Sequence, residues 1–262
     1  MSATLFLAAL VVAQPLHVWE PVKFAPAQGT KLNYASTSNT SFEGMGQTFS
    51  TKVTQSSSHE ATGLVDGWTQ VKITVVEQKV ESDMPFGEMP DPTGMATTVL
   101  VSSARKQKDM KVVSNGKLTT EQVDVLKGSA KNDMESGFEG LILPEGNLTV
   151  GQTWSLEHAP AGAGMAGMPT STTGKVKTTY KVLSIENGNV MIEAVTAGNY
   201  TMNIESPQGT IGLNNKMNET RKYTVRASDG VLLKAETTSE VTMSSDFGDF
   251  TTKSVSTTEL KK

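Results

Sequence analysis

Along most of the chain apolar positions alternate with polar ones. Val71, Ile73 and Val75 are spaced by two, as are Tyr180 and Val182, Val190 and Ile192, and Tyr223 and Val225. A period of two puts successive side chains on opposite faces, so these stretches read as strands with one buried and one wet face. Four Asx-Gly pairs punctuate them: Asp66-Gly67, Asn115-Gly116, Asn187-Gly188 and Asp229-Gly230. Each offers two adjacent residues that accept positive φ, which a type I′ hairpin turn demands. The expected class is mainly β (α+β), a curved antiparallel sheet or half-barrel.

The signals recur in order. Lys52-Val53 begins a strand that runs to Asp66-Gly67 and returns through Trp68 to Met84. Lys175-Val176 begins one that runs to Asn187-Gly188 and returns through Asn189 to Ile204. Each unit leads to a further strand, ending in Ser-Asn-Gly-Lys-Leu (114–118) or Ser-Asp-Gly-Val-Leu (228–232). This predicts an internal duplication of 30–118 and 171–260, hence two related β halves over 30–118 and 141–262 within one structural domain.

Between the halves the period changes. Thr119 and Gln122 form a capping box, and Val123, Leu126, Ala130, Met134 and Phe138 recur at steps of three and four. The spacing predicts one amphipathic connecting helix over 119–140, ended by Gly137 or Gly140 and packed on the apolar face of the sheet.

Leu5 to Val12 is an unbroken apolar run, too short to span a bilayer, and Ala13 follows it. It predicts a signal peptide over 1–13, with 14–29 as an N-terminal extension. No Lys or Arg precedes the run, so an apolar element of the mature fold is the alternative. The expected location is exported, periplasmic or extracellular. No other stretch is long and apolar enough for a membrane helix, so an integral membrane protein is not expected.

Composition narrows the chemistry. The chain has no cysteine, which removes disulfides, thiolate metal sites and cysteine nucleophiles. A net charge of −4 without clustered Lys and Arg argues against nucleic acid as a partner. Arg105 to Lys108 is the longest basic stretch and reads as a solvated strand end. Hydrophobic residues make up 37%, as expected where Ser and Thr line the wet faces of long strands.

After the helical stretch come Leu143-Pro144 and then Val150-Gly151-Gln152-Thr153-Trp154, leading into a second set of strands. This layout resembles uncharacterised families of exported bacterial β-rich proteins. It is also loosely similar to the half-barrel carriers that shuttle lipoproteins across the periplasm, in which a curved antiparallel sheet wraps a helical plug. The likeness implies a carrier and supplies no short motif of functional residues.

Two Gly- and Pro-rich segments, 84–95 and 158–169, read as long rim loops. They carry the candidate ligand-binding residues Met84, Phe86, Met89, Met95, Met165 and Met168. Unbranched thioethers suit an adaptable apolar lip; the alternative is a Cu(I) site with His158 as an added ligand. His17, His59 and His158 lie in no metal-binding spacing and read as surface or strand residues. No Gly-x-Ser-x-Gly elbow or phosphate loop occurs, so no catalytic residue and no cofactor are assigned. Asn39, Asn147, Asn199 and Asn218 open Asn-x-Ser/Thr sequons, which Thr-rich strands also generate by composition. Trp68 and Trp154 are expected to anchor the cores of the two halves. The expected function is an exported, non-enzymatic binding or carrier module for an apolar small molecule or lipid. The alternative is a structural protein with a partner in the cell envelope.

Overall fold

The computed structural model describes residues 21–44, 46–83, 91–113, 116, 119, 123, 134–160, 170–206, 209–245 and 248–261. The chain forms strands β1 (Lys31–Gly44), β2 (Gln47–Val65), β3 (Trp68–Ser82), β4 (Ala96–Val101) and β5 (Gln107–Val113). Farther along the chain follow β6 (Thr153–His158), β7 (Thr170–Gly174), β8 (Val176–Glu186), β9 (Asn189–Ser206), β10 (Gly209–Arg226), β11 (Leu232–Ser245) and β12 (Gly248–Lys261). They make one antiparallel sheet in the order β5-β4-β3-β2-β1-β12-β11-β10-β9-β8-β6, with β7 beside β9. Each arm is thus a meander of neighbouring strands. The seam between the arms is the first strand against the last, from Asn33 opposite Lys261 to Gly44 opposite Phe250.

Two of the Asx-Gly pairs do what their chemistry predicts. Asp66-Gly67 (φ 48° and 77°) joins β2 to β3, and Asn187-Gly188 (φ 52° and 74°) joins β8 to β9, each as a two-residue hairpin. Asp229-Gly230 is a correction. It lies in a wider connection between β10 and β11, and only Gly230 has positive φ, at 65°. The Asp229 carboxylate instead accepts from Arg226 Nε and the Val231 amide. Gly230 is required there because an added Cβ would meet the Lys23 carbonyl oxygen at 2.6 Å. Asn115 lies outside the described residues.

The amphipathic helix is also corrected. Among the described residues of 119–140 there is no helix of seven residues or more: Val123 is helical, its amide bonded to Thr119 O, and two short 3-10 turns follow, Met134–Ser136 and Phe138–Gly140. Residues 120–122 and 124–133 lie outside the described residues. The backbone gives the reason for the part that is described. Gly137, Glu139 and Gly140 all have positive φ (87°, 57° and 73°), which a right-handed helix cannot contain. The Phe138 amide is taken by Arg105 O at 2.7 Å rather than by an upstream carbonyl.

This segment, 134–148, acts as a strap across one face of the sheet. Met134–Ser136 touches both β5 and β6, the two ends of the strand order. Leu143 N donates to Ala104 O on one side, and Trp154 Nε1 donates to Ile142 O on the other. One cavity is walled by Ile73 of β3, Met110 of β5, His158 of β6 and Tyr180 of β8 together. A flat sheet would hold β3 and β8 roughly 35 Å apart at about 4.8 Å per strand, so the sheet is curled with its ends drawn together.

The inner face is apolar under the strap and hydroxylic beyond it. Val176, Tyr180 and Val182 of β8, Val190, Ile192 and Ala194 of β9, and Tyr223 and Val225 of β10 are buried, together with Leu141, Leu143 and Leu148 of the strap. A second cluster joins Phe24, Val71, Val99, Val101 and Phe138. Farther along the same strands the row containing Tyr34 continues as Ser36, Ser38 and Thr40, opposite Thr258, Ser256 and Ser254. These hydroxyls bond across the seam, Ser38 to Ser254 at 3.3 Å and Thr40 to Ser254 at 3.1 Å. Trp154 joins the first core, stacked on Tyr180 at 5.1 Å, whereas Trp68 lies half-buried under the Lys108 ammonium at 4.4 Å.

Candidate functional site

Between the strap and the inner faces of β8, β9 and β10 lies a cavity of about 370 Å³. Its wall mixes apolar and polar side chains on one inward face, because successive inward positions of each strand differ in chemistry. Val176 and Ala194, with Ile73, Met110, Phe138 and Met217, make the apolar part. Thr178, Thr196, His158, Glu219 and Arg221 make the polar part. On β10 the inward positions run Met217, Glu219, Arg221, Tyr223, so two charges sit where the period of two calls for apolar residues.

Those charges are paired with each other. The Arg221 NH2 donates to Glu219 Oε2 at 3.0 Å, and Nε lies 2.7 Å from Oε1 as a charge contact that is not aligned as a hydrogen bond. Burial opposes the Arg221 charge, but Tyr223 and the Glu219 carboxylate outweigh it and lift its pKa above the ordinary arginine value. Beside them the Tyr223 hydroxyl donates to Gly140 O at 2.7 Å, with the Tyr180 hydroxyl 3.5 Å from the same oxygen. Burial pushes both phenols above their ordinary range, so they remain neutral donors. Gly140 is favoured here by its φ of 73°, and an added Cβ would also displace the Arg221 guanidinium.

A second polar row closes another side. His158 Nδ1 lies 2.8 Å from Ala159 O, its Nε2 lies 2.8 Å from Thr178 Oγ1, and Thr178 Oγ1 lies 2.8 Å from Thr196 Oγ1.

The strap is locked by a different ion pair. Arg105 has a fully buried side chain and lies between the rings of Phe24 and Phe138, its guanidinium carbon 5.2 and 5.3 Å from their centres. It donates to Gly230 O at 2.7 Å, to Phe138 O at 3.2 Å and to the Glu139 carboxylate. Four parts of the chain therefore meet on one charge: the N-terminal segment, the β4–β5 turn, the strap and the β10–β11 turn. Burial pushes the Glu139 carboxyl up, yet Arg105 and His59 outweigh it and hold its pKa below the ordinary carboxylate value. Arg105 thus departs from the solvated strand end expected of the 105–108 stretch. It sits at positive φ (64°) in a tight turn that directs its side chain inward.

His59 Nδ1 lies 3.4 Å from Glu139 Oε1, and Ser57 Oγ lies 3.1 Å from His59 Nε2. The order Ser, His, carboxylate is that of a hydrolytic relay. Neither Ser57 nor His59 lines the cavity, and Glu139 shares its charge with Arg105, so these contacts tie the strap to β2.

Of the residues expected to bind a ligand, Met84, Phe86, Met89, Met165 and Met168 lie outside the described residues. Met95 is half-buried in the turn that begins β4, with its carbonyl bonded to the Val75 amide at 3.0 Å, and is not among those lining the cavity. His17 and the expected signal peptide also lie outside the described residues. His59 and His158 are strand residues, as expected, but both face inward. No cluster of three metal-ligating side chains occurs among the described residues. Glu219 and Arg221 were the legible but unread signal: a Glu-x-Arg-x-Tyr row in phase with buried Val225.

No protein-family model matches the chain, and no curated protein does. Among solved structures the chain is similar to lipovitellin, with a TM-score of 0.54 at 12% identity over 92% of this chain. It spans 26% of the length of that lipovitellin chain. A mutant porin from Rh. blastica aligns over 88% of this chain and 99% of its own at 10% identity, but its TM-score of 0.28 carries no weight. At these identities the lipovitellin likeness speaks for the antiparallel fold. No helix among the described residues is long and apolar enough to cross a membrane.

Proposed function

We propose that this protein is an exported, non-enzymatic carrier or binding module that holds one amphipathic molecule between its curled sheet and the strap. The observation that carries this reading is the mixed lining of the 370 Å³ cavity, in which Val176, Ala194 and Phe138 are interleaved with Thr178, Glu219 and Arg221. Its volume falls in the range of about 300–1,000 Å³ that holds single small molecules. An apolar tail is stabilised by leaving water for the apolar side chains, and a polar head finds partners among the polar ones. The solved lipovitellin structure concerns lipid–protein interactions, and its sheet is the fold this chain shares, which favours a lipid-like occupant. Export remains the reading of the N-terminal apolar run.

Native mass spectrometry of protein purified from its own host tests the proposal. One amphiphile per chain, displaced by a second amphiphile of similar length, is the expected result. A chain that carries none, and takes up none when amphiphiles are added, defeats it.

A further inference from the structure

We propose that the cavity selects a single-chain amphiphile with an uncharged head that both donates and accepts hydrogen bonds, such as an alcohol, a glycerol ester or a primary amide. This inference rests on the carrier reading above and adds the class of head group.

The charges facing the cavity are already matched. Glu219 is paired with Arg221 on the same strand, by one hydrogen bond and one close charge contact. Glu139, on the strap side of the wall, is held by Arg105 from behind and by His59. A carboxylate head would meet the spare Arg221 N–H groups only beside two carboxylates, and would gain a counter-charge of its own only by drawing Arg221 from Glu219. An ammonium head would have to pull Glu219 from Arg221. Either way a largely buried charge is left without its partner, which is the expensive outcome.

The hydroxyl row gives the positive half of the argument. A carbonyl oxygen can only accept, so His158 Nδ1–H donates to Ala159 O. In the neutral imidazole Nε2 then accepts, and Thr178 donates to it. Thr178 accepts in turn from Thr196, the next hydroxyl in the row. The direction of every bond in the row is set by the imidazole at its end. Thr196 Oγ1 is left with acceptor capacity on the cavity side, where it meets a head that donates. The Arg221 guanidinium on the neighbouring strand supplies donors to a head that accepts. A hydroxyl or amide answers both; a carboxylate cannot donate and an ammonium cannot accept.

The test uses the full chain, freed of bound lipid, and calorimetric titration at neutral pH. The probes share one twelve-carbon chain and stay below their micelle-forming concentrations: monododecanoyl glycerol, dodecanoate and dodecylammonium. The glycerol ester is expected to bind at one per chain, about tenfold or more tighter than either charged probe. Thr196→Val, a strand-compatible change of similar shape, should weaken the ester and leave dodecanoate unmoved. Glu219→Gln should strengthen dodecanoate by releasing Arg221. If the wild-type chain binds dodecanoate or dodecylammonium as tightly as the ester, the head-group inference is overturned while the carrier reading stands. If it binds none of the three, both fall.

Discussion

Among the described residues two arginine–glutamate pairs, Arg105 with Glu139 and Glu219 with Arg221, share the same chemistry and differ in what surrounds them. Arg105 and Glu139 join residues far apart in sequence, and the arginine side chain has no exposed surface. Glu219 and Arg221 are two residues apart on one strand face, and the arginine keeps 29% of its side-chain surface. The first pair is a fastener: without Arg105 the N-terminal segment, the strap and the β10–β11 turn lose a common partner. The second belongs to the cavity wall, where its role is to present matched charge to whatever enters. A buried ion pair is therefore read by what it connects and what it faces. Its existence alone is weak evidence of stabilisation.

The largest expected effect tests the fastener. Arg105→Ala leaves the Glu139 carboxylate buried without its guanidinium, and should cost about 3–5 kcal/mol in chemical denaturation. A loss below about 1 kcal/mol would mean that water already reaches Glu139 and that the strap is held by its apolar residues alone.

Acid should act on the same pair. The Glu139 pKa is lowered in the folded state, so the unfolded chain takes up the proton more readily. Its contribution is therefore complete above the ordinary carboxylate value and is lost as pH falls through the lowered one. A Tm-versus-pH series should show this fall in the wild type and a shallower one in Glu139→Gln; identical slopes would remove Glu139 as the cause.

The smallest effect on stability belongs to the cavity pair. Arg221→Ala should cost about 1–3 kcal/mol, since Glu219 loses a partner beside a cavity that water can enter. A loss equal to that of Arg105→Ala would erase the distinction drawn between fastener and wall.

Particular residues show how far the chain announced all this. Asp66-Gly67 and Asn187-Gly188 were legible because a two-residue turn with both φ positive is a local demand that only such pairs meet easily. Asp229-Gly230 carries the same dipeptide but serves a wider turn, where Gly230 is needed for its close approach to Lys23. Phe138 was marked as buried by its spacing, and it is buried, yet on a strap of 3-10 turns in the described part of 119–140. Apolar spacing at three and four does not register that Gly137, Glu139 and Gly140 will take positive φ. The candidate methionines were chosen by composition, whereas the cavity wall is made by strand positions that composition does not single out.

By itself, then, the sequence determined the antiparallel strands, the two tight hairpins and the inward alternation of β8, β9 and β10, because each follows from local stereochemistry and a period of two. Only the tertiary structure decided that the first strand pairs with the last, that the sheet curls until β5 and β6 meet one strap, and that Arg105 and Arg221 point inward. Those outcomes depend on which distant groups share a low-dielectric space. A buried charge is tolerable only where its partner arrives from elsewhere in the chain, and no local pattern records that arrival.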